Sequence, residues 1–174
     1  TFFSFFLMRL FYPFFLKYII DKPNKRSLHK KPKPRGGGII FSLISALSGI
    51  FLNFYAPLIA FPLALVGLID DKFRLNPIIR LIVQVITSIS IISYAGKMLW
   101  AVDISIFSSN LIIIFLIILG TSIINFTNFI DGVDGILISS MLIIFLGISI
   151  IIDPKYLLIF GSLLGFIKWN WSPA

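Results

Sequence analysis

Asn125, Asn128, Asp131 and Asp134 follow one another at three-residue intervals in "NFTNFIDGVDGI" (125–136). A second acidic stretch, "GLIDDKFRLNP" (67–77), holds the adjacent pair Asp70 and Asp71. The chain has seven acidic residues, all aspartate, and four of them fall in these two segments. If a helix continues through Asp131 and Asp134, their Cβ atoms lie roughly 5–6 Å apart and the like charges repel. A bound cation removes that repulsion. Magnesium suits the donors, because it takes hard oxygen ligands, often only one or two carboxylates, and completes its shell with water and phosphate oxygens. Calcium would want a denser oxygen cage, whereas replacement of Mg²⁺ by Mn²⁺ stays open.

Gly132 and Gly135 each follow an aspartate. They permit positive φ and close approach of the backbone to a ligand, and they favour a helix break that leaves the carboxylates at a helix end. Asn125 and Asn128 have two readings: they orient carboxylates or bond a substrate, or they make ordinary hydrogen bonds between helices.

The opposite charge comes from "SLHKKPKPRGGGI" (27–39). There Arg35 precedes three glycines and the start of an apolar run, a setting in which backbone N–H groups and a helix N-terminus attract anions. The same glycines would also serve a flexible turn. His29 is the only histidine; in so basic a loop it is either solvated or placed near a phosphate. Acidic, metal-suited groups and a basic glycine loop together fit phosphoryl transfer between a nucleotide diphosphate and a lipid phosphate.

The elements that must position these groups are helices in a membrane. Hydrophobic residues make up 58% of 174, 19 of them Phe, and charged residues only 13%; mean hydropathy is +1.03. That is more apolar surface than a soluble domain of this size can bury. A hydrocarbon core of about 30 Å needs about 20 apolar residues per helix. Seven such stretches lie near 2–20, 38–54, 55–69, 78–95, 110–126, 136–152 and 156–170. The runs do not alternate as a transmembrane barrel requires. The expected fold is therefore all-α, a polytopic transmembrane bundle of about seven spans forming one domain over 1–174. The first stretch contains Arg9, Pro13 and Lys17 and no small-residue cleavage site, so it reads as a retained span. With no cysteine, neither disulfides nor thiolate metal sites arise.

Charge orients the bundle. Lys22, Lys25, Arg26, Lys30, Lys31, Lys33 and Arg35 follow span one, and Lys72, Arg74 and Arg80 follow span three. The positive-inside rule makes these loops cytoplasmic. Spans one, three, five and seven then end on one side, so cytoplasmic loops near 21–37, 70–77 and 127–135 and the terminal "WNWSPA" share a face. The net charge of +8 is mainly this topology signal. Nucleic-acid binding is not expected, because no soluble basic fold accompanies the charge. Gln84, Asp103, Asp153 and the tryptophans are assigned to packing or interfacial anchoring.

"GLIDDKFRLNPIIRLIVQ" (67–84), "NFTNFIDGVDGI" (125–136) and "SLHKKPKPRGGGI" (27–39) resemble, in order, the paired-aspartate signature, the N-x-x-N-x-x-D-G-x-D-G signature and the first cytoplasmic loop of the polyprenyl-phosphate N-acetylhexosamine-1-phosphate transferases. The resemblance covers essentially the whole chain. It implies a Mg²⁺-dependent phosphotransferase of the bacterial inner membrane, with its active site on the cytoplasmic face. Such an enzyme transfers sugar 1-phosphate from a UDP-N-acetylated sugar to undecaprenyl phosphate and releases UMP. The H-x-x-P-x-P-R-G-G-G loop and "WNWSPA" are more similar to the branch that initiates O-antigen and other surface polysaccharides. The related phospho-MurNAc-pentapeptide transferase of peptidoglycan synthesis is the alternative. A homodimer stays open.

Carried over by this resemblance, Asp70 and Asp71 are catalytic, where the lipid phosphate meets the metal. Asp71 and Asp131 are metal ligands, and Asn125, Asn128, Asp134, Arg35 and His29 contact substrate. Members of the family continue beyond the W-N-x-x-P-A segment into a further aspartate motif and a histidine-containing loop. The resemblance therefore implies that this chain, from Thr1 to Ala174, is an N-terminal fragment that does not turn over by itself. From other classes, an ion-coupled transporter and a non-catalytic membrane fragment remain as rivals; acids at midspan would favour the transporter.

Overall fold

In a computed structural model, residues 1–21, 33–99, 110–130 and 135–170 are described. Seven α-helices account for most of them: α1 (Phe2–Tyr18), α2 (Gly38–Phe51), α3 (Ala56–Phe73), α4 (Pro77–Leu99), α5 (Asn110–Ile130), α6 (Ile136–Ile151) and α7 (Leu157–Asn170). They coincide with the seven apolar stretches. Two-residue strands β1 (Ile20–Asp21) and β2 (Lys33–Pro34) pair antiparallel, Ile20 with Pro34 and Asp21 with Lys33.

Helix ends are set by local chemistry and not by the first polar residue met. α3 continues through Asp70, Asp71 and Lys72 and stops at Arg74, whose left-handed φ of 51° lets its N–H donate to Asp70 O at 2.8 Å. α4 starts at Pro77, and the side chain of Asn76 caps it by accepting from Ile78 N–H at 2.9 Å. The expected loop near 70–77 thus shrinks to residues 74–76. Likewise α5 runs on to Ile130, so Asn125 and Asn128 are helical and the expected loop near 127–135 begins later. The side chains of Asp70 and Asn125 find partners on neighbouring elements, so their polarity gives the helices no reason to end. Gly135, at φ 78°, starts α6.

α7 packs against α1, α2 and α6; α2 meets α3, α3 meets α4, and α4 meets α5. The core of this arrangement is a node of small residues. Ser4 Oγ donates to Ser162 O at 2.7 Å, and Ser45 and Ser162 share a hydroxyl contact at 2.5 Å, which joins α1, α2 and α7. Around it, Met8, Phe15, Ile19 and Ile40 form one apolar cluster and Ile138, Leu142 and Leu163 another.

The apolar surface faces outward. No residue of α5 is buried, and Leu111 and Phe129 are 78% and 84% exposed. In water such a helix would not be stable in this position; in lipid it is the expected arrangement. α5, at 21 residues, and α4 over Pro77–Gly96 are long and apolar enough to cross a membrane. The remaining five are shorter, carry charges, or both. The chain is an all-α membrane bundle.

Successive helices alternate in direction. At one end Ile20 meets Pro34, Asp70 meets Arg80, and Gly135 meets Asn170. At the other, Tyr55 N–H donates to Tyr94 Oη at 3.2 Å, and the Phe54 and Tyr156 rings meet edge to face. The parity expected from the loop charges is thereby present in the contacts.

Candidate functional site

The end of the bundle that carries the sequence motifs is built from α3, the α3–α4 turn and the segment following β2. Asp70 and Asp71 occupy the last turn of α3, and their neighbours differ. Asp70 Oδ1 accepts from Leu75 N–H at 2.8 Å and Oδ2 accepts from Arg80 Nη1 at 2.9 Å. Asp71 Oδ1 lies 3.7 Å from Arg35 Nη1. One residue apart on a helix, the two carboxylates point some 100° apart, and so they meet different partners. Asp70 belongs to the α3–α4 junction, whereas Asp71 faces the segment that enters α2.

Arg35 is delivered there by two features. Its N–H donates to Ile19 O at 2.9 Å, extending the β1–β2 pairing. Gly36, at φ 85°, then lies against α3, where a Cβ would come within 2.6 Å of Leu68 Cδ1. A side chain at Gly37 would meet Phe166 and Met8 Cε, at 2.8 and 2.9 Å. Positive φ at Gly36 and the Phe166 ring beside Gly37 therefore favour glycine at both positions, whatever anions their amides attract. Gly38 has only an ordinary 3.7 Å contact with Phe41. The first-loop arginine and the paired-aspartate motif, 36 positions apart, are one unit.

The asparagine motif joins through α4. Gln84 Nε2 donates to Asn125 Oδ1 at 3.2 Å, and Asn125 Nδ2 donates to Gln84 Oε1 at 2.9 Å and to Thr121 O at 3.1 Å. One turn farther along, Ser88 and Thr121 hydroxyls are 3.4 Å apart. Asn125 thus makes the interhelical hydrogen bond, one of its two readings. Asn128 is exposed one turn later on α5. Asp131 and Asp134, expected as metal and substrate contacts, and His29 lie outside the described residues. Among the described residues no three of His, Asp or Glu gather into a metal-holding group. Asp71 still fits Mg²⁺, which needs few protein carboxylates.

Three residues at this end were not singled out from sequence as site residues. Arg80 was counted only as a loop charge, and Gln84 was assigned to packing. Asn170 accepts from Gly135 N–H at 3.4 Å, which ties the end of α7 to the residue after Asp134. A sequence signal existed for two of them: Arg80, Gln84 and Ser88 sit at i, i+4 and i+8, one polar stripe on an apolar helix.

Residues 53–174 match the profile of glycosyl transferase family 4. The chain is 30% identical over 98% of its length to undecaprenyl-phosphate alpha-N-acetylglucosaminyl 1-phosphate transferase of Thermotoga maritima, covering 55% of that protein. It is 28% identical over 89% of its length to a probable undecaprenyl-phosphate N-acetylglucosaminyl 1-phosphate transferase of Bacillus subtilis, covering 49% of it. With decaprenyl-phosphate N-acetylglucosaminephosphotransferase of Mycobacterium leprae it shares 28% identity over 87% of its length and 48% of the relative. The chain thus spans about half the length of these relatives. No solved structure matches it significantly.

Proposed function

Because the chain belongs to glycosyl transferase family 4, we propose that the whole protein transfers sugar 1-phosphate from a UDP-N-acetylhexosamine to undecaprenyl phosphate or a similar polyprenyl phosphate at the cytoplasmic face of the bacterial inner membrane. The observation that carries the reading is the meeting of Arg35 with Asp71 beside the Asp70–Arg80 pair at one end of the bundle. A lipid phosphate oxygen attacks the β-phosphorus of the UDP-sugar. A new P–O bond to the lipid phosphate forms, the bond from the β-phosphorus to the bridging oxygen breaks, and UMP leaves with that oxygen.

In this mechanism Arg35 orients the phosphates and offsets charge gathered in the transition state. Asp71 holds the metal or takes the acceptor's proton, while Asp70, held by Arg80 and Leu75, fixes the end of α3 and shapes the site's field. Asn128, Asp131, Asp134 and His29 complete the nucleotide and diphosphate contacts. Bound Mg²⁺ would supply Lewis-acid polarisation of the phosphoryl group. Asp70 and Asp71 lie at a span end, which supports this reading over an ion-coupled transporter. The names of all three relatives specify N-acetylglucosamine, which supports transfer of an N-acetylglucosamine-type sugar phosphate over transfer of phospho-MurNAc-pentapeptide.

The test is a radiolabelled assay on the full-length protein in membranes, with UDP-N-acetylglucosamine and undecaprenyl phosphate. Lipid-linked product and UMP are expected in Mg²⁺ and not in EDTA, with no product from UDP-MurNAc-pentapeptide. Full turnover in EDTA, or use of the MurNAc donor alone, would refute the proposal.

A further inference from the structure

α5 reaches the site with little protein around it: none of its residues is buried, it packs chiefly on α4, and it touches α6 only slightly. The α4–α5 seam is also polar where the rest of the surface is apolar. Gln84 is 8% exposed, and its amide exchanges two hydrogen bonds with that of Asn125. Ser88 faces Thr121 one turn away, and a Cβ at Gly120 would lie 3.2 Å from Ser88 Oγ, so the helices approach closely there. One turn in the other direction on α4, Arg80 holds Asp70 of α3. A single stripe on α4 therefore grips both motif-bearing helices.

We propose that Gln84 is a positioning residue for the reaction. Its amide pair with Asn125 sets the axial register of α5, and so the depth at which α5 presents Asn128 relative to the Asp70–Asp71 turn. The inference rests on the proposed transferase reading and deepens it. Among the described residues α5 is bordered chiefly by α4 and, slightly, by α6, so the α4 seam is what resists a slide of α5. Apolar contacts with α4 and with lipid are nearly interchangeable, so the directional hydrogen bonds, together with the close approach at Gly120 and Ser88, fix the register. Asn125, in this account, acts through Gln84 and not by touching substrate.

Two experiments on the full-length protein test it. The first compares Gln84→Asn, Asn125→Gln and the double swap, which keeps the total length of the amide pair while moving one methylene between helices. Each single change should lower kcat, by up to about 100-fold if groups in the site move by an ångström, with KM for the UDP-sugar little changed. The swap should recover most of the rate. Loss in the swap equal to the product of the single losses would show that Asn125 touches substrate directly and would overturn the proposal. The second needs no substrate: with no native cysteine in this chain, and any downstream cysteine replaced, Ser88→Cys with Thr121→Cys should form a disulfide under mild oxidation. Adding Gln84→Leu should reduce the yield several-fold; an unchanged yield would likewise overturn the proposal. If the wild-type protein transfers no sugar phosphate, the reaction part of the inference falls, and the cross-link still decides whether Gln84 fixes α5.

Discussion

Arg80 donates to Asp70 at 2.9 Å across the three-residue turn between α3 and α4. Asp71, the next residue, meets Arg35 from a different part of the chain. Adjacent aspartates of one motif are thus given to two different structural tasks, and substitution should separate them.

Asp71→Asn should lower kcat/KM by about 100-fold or more, the scale for losing one preorganised electrostatic contact. It should also raise the Mg²⁺ concentration needed for half-maximal rate. Asp70→Asn should reduce the rate with little change in that Mg²⁺ requirement. The measurement is a Mg²⁺ titration of initial rates for both variants; identical shifts in Mg²⁺ requirement would contradict the division.

Arg80→Ala should resemble Asp70→Asn, and the double variant should be no worse than either alone, because both remove one interaction. The pair is partly exposed, so its contribution to stability should be about 1 kcal/mol or less. Thermal unfolding in detergent beside the rate assay would show a loss of activity larger than the loss of stability.

Within the glycine run, Gly36→Ala should destabilise by about 1–3 kcal/mol through positive φ and overpacking on Leu68. Gly38→Ala should be near neutral, since its Cβ meets only Phe41 at 3.7 Å. Equal melting temperatures for these two variants would count against the packing account of the run.

For topology, Lys72→Cys and Leu52→Cys lie at opposite ends of the bundle in exposed positions. In a cysteine-free background, a membrane-impermeant thiol reagent added outside intact spheroplasts should label position 52 and not 72. The reverse pattern would invert the proposed orientation.

Sequence alone made the helices legible, because an apolar run in lipid has no other way to satisfy its backbone. It also showed which residues could share one end, since parity follows from counting spans. What it could not show was rotation about each helix axis and register between helices. Gln84 looked like packing because its partner lies 41 residues away on α5, and only the register of two helices brings their amides together. Asp70 and Asp71 looked equivalent for the same reason. Their different surroundings come from the way the turn at 74–76 brings Arg80 back to Asp70 and from the strand pairing ahead of Arg35, and no local pattern names those partners. Chemistry at Asp131, Asp134 and His29 rests on the motif resemblance, as those residues lie outside the described structure.

The pairing of Ile20 with Pro34 and Asp21 with Lys33 clamps the chain on both sides of residues 22–32. Closing a loop between two paired strands costs little more when the loop is lengthened, roughly 0.6 kcal/mol per doubling. Arg35 emerges from the clamp and not from the segment, so its position against Asp71 is insulated from how many residues lie between the strands. A change of loop length ahead of Ser27, outside the motif that carries His29, should therefore spare the Arg35–Asp71 geometry behind the clamp.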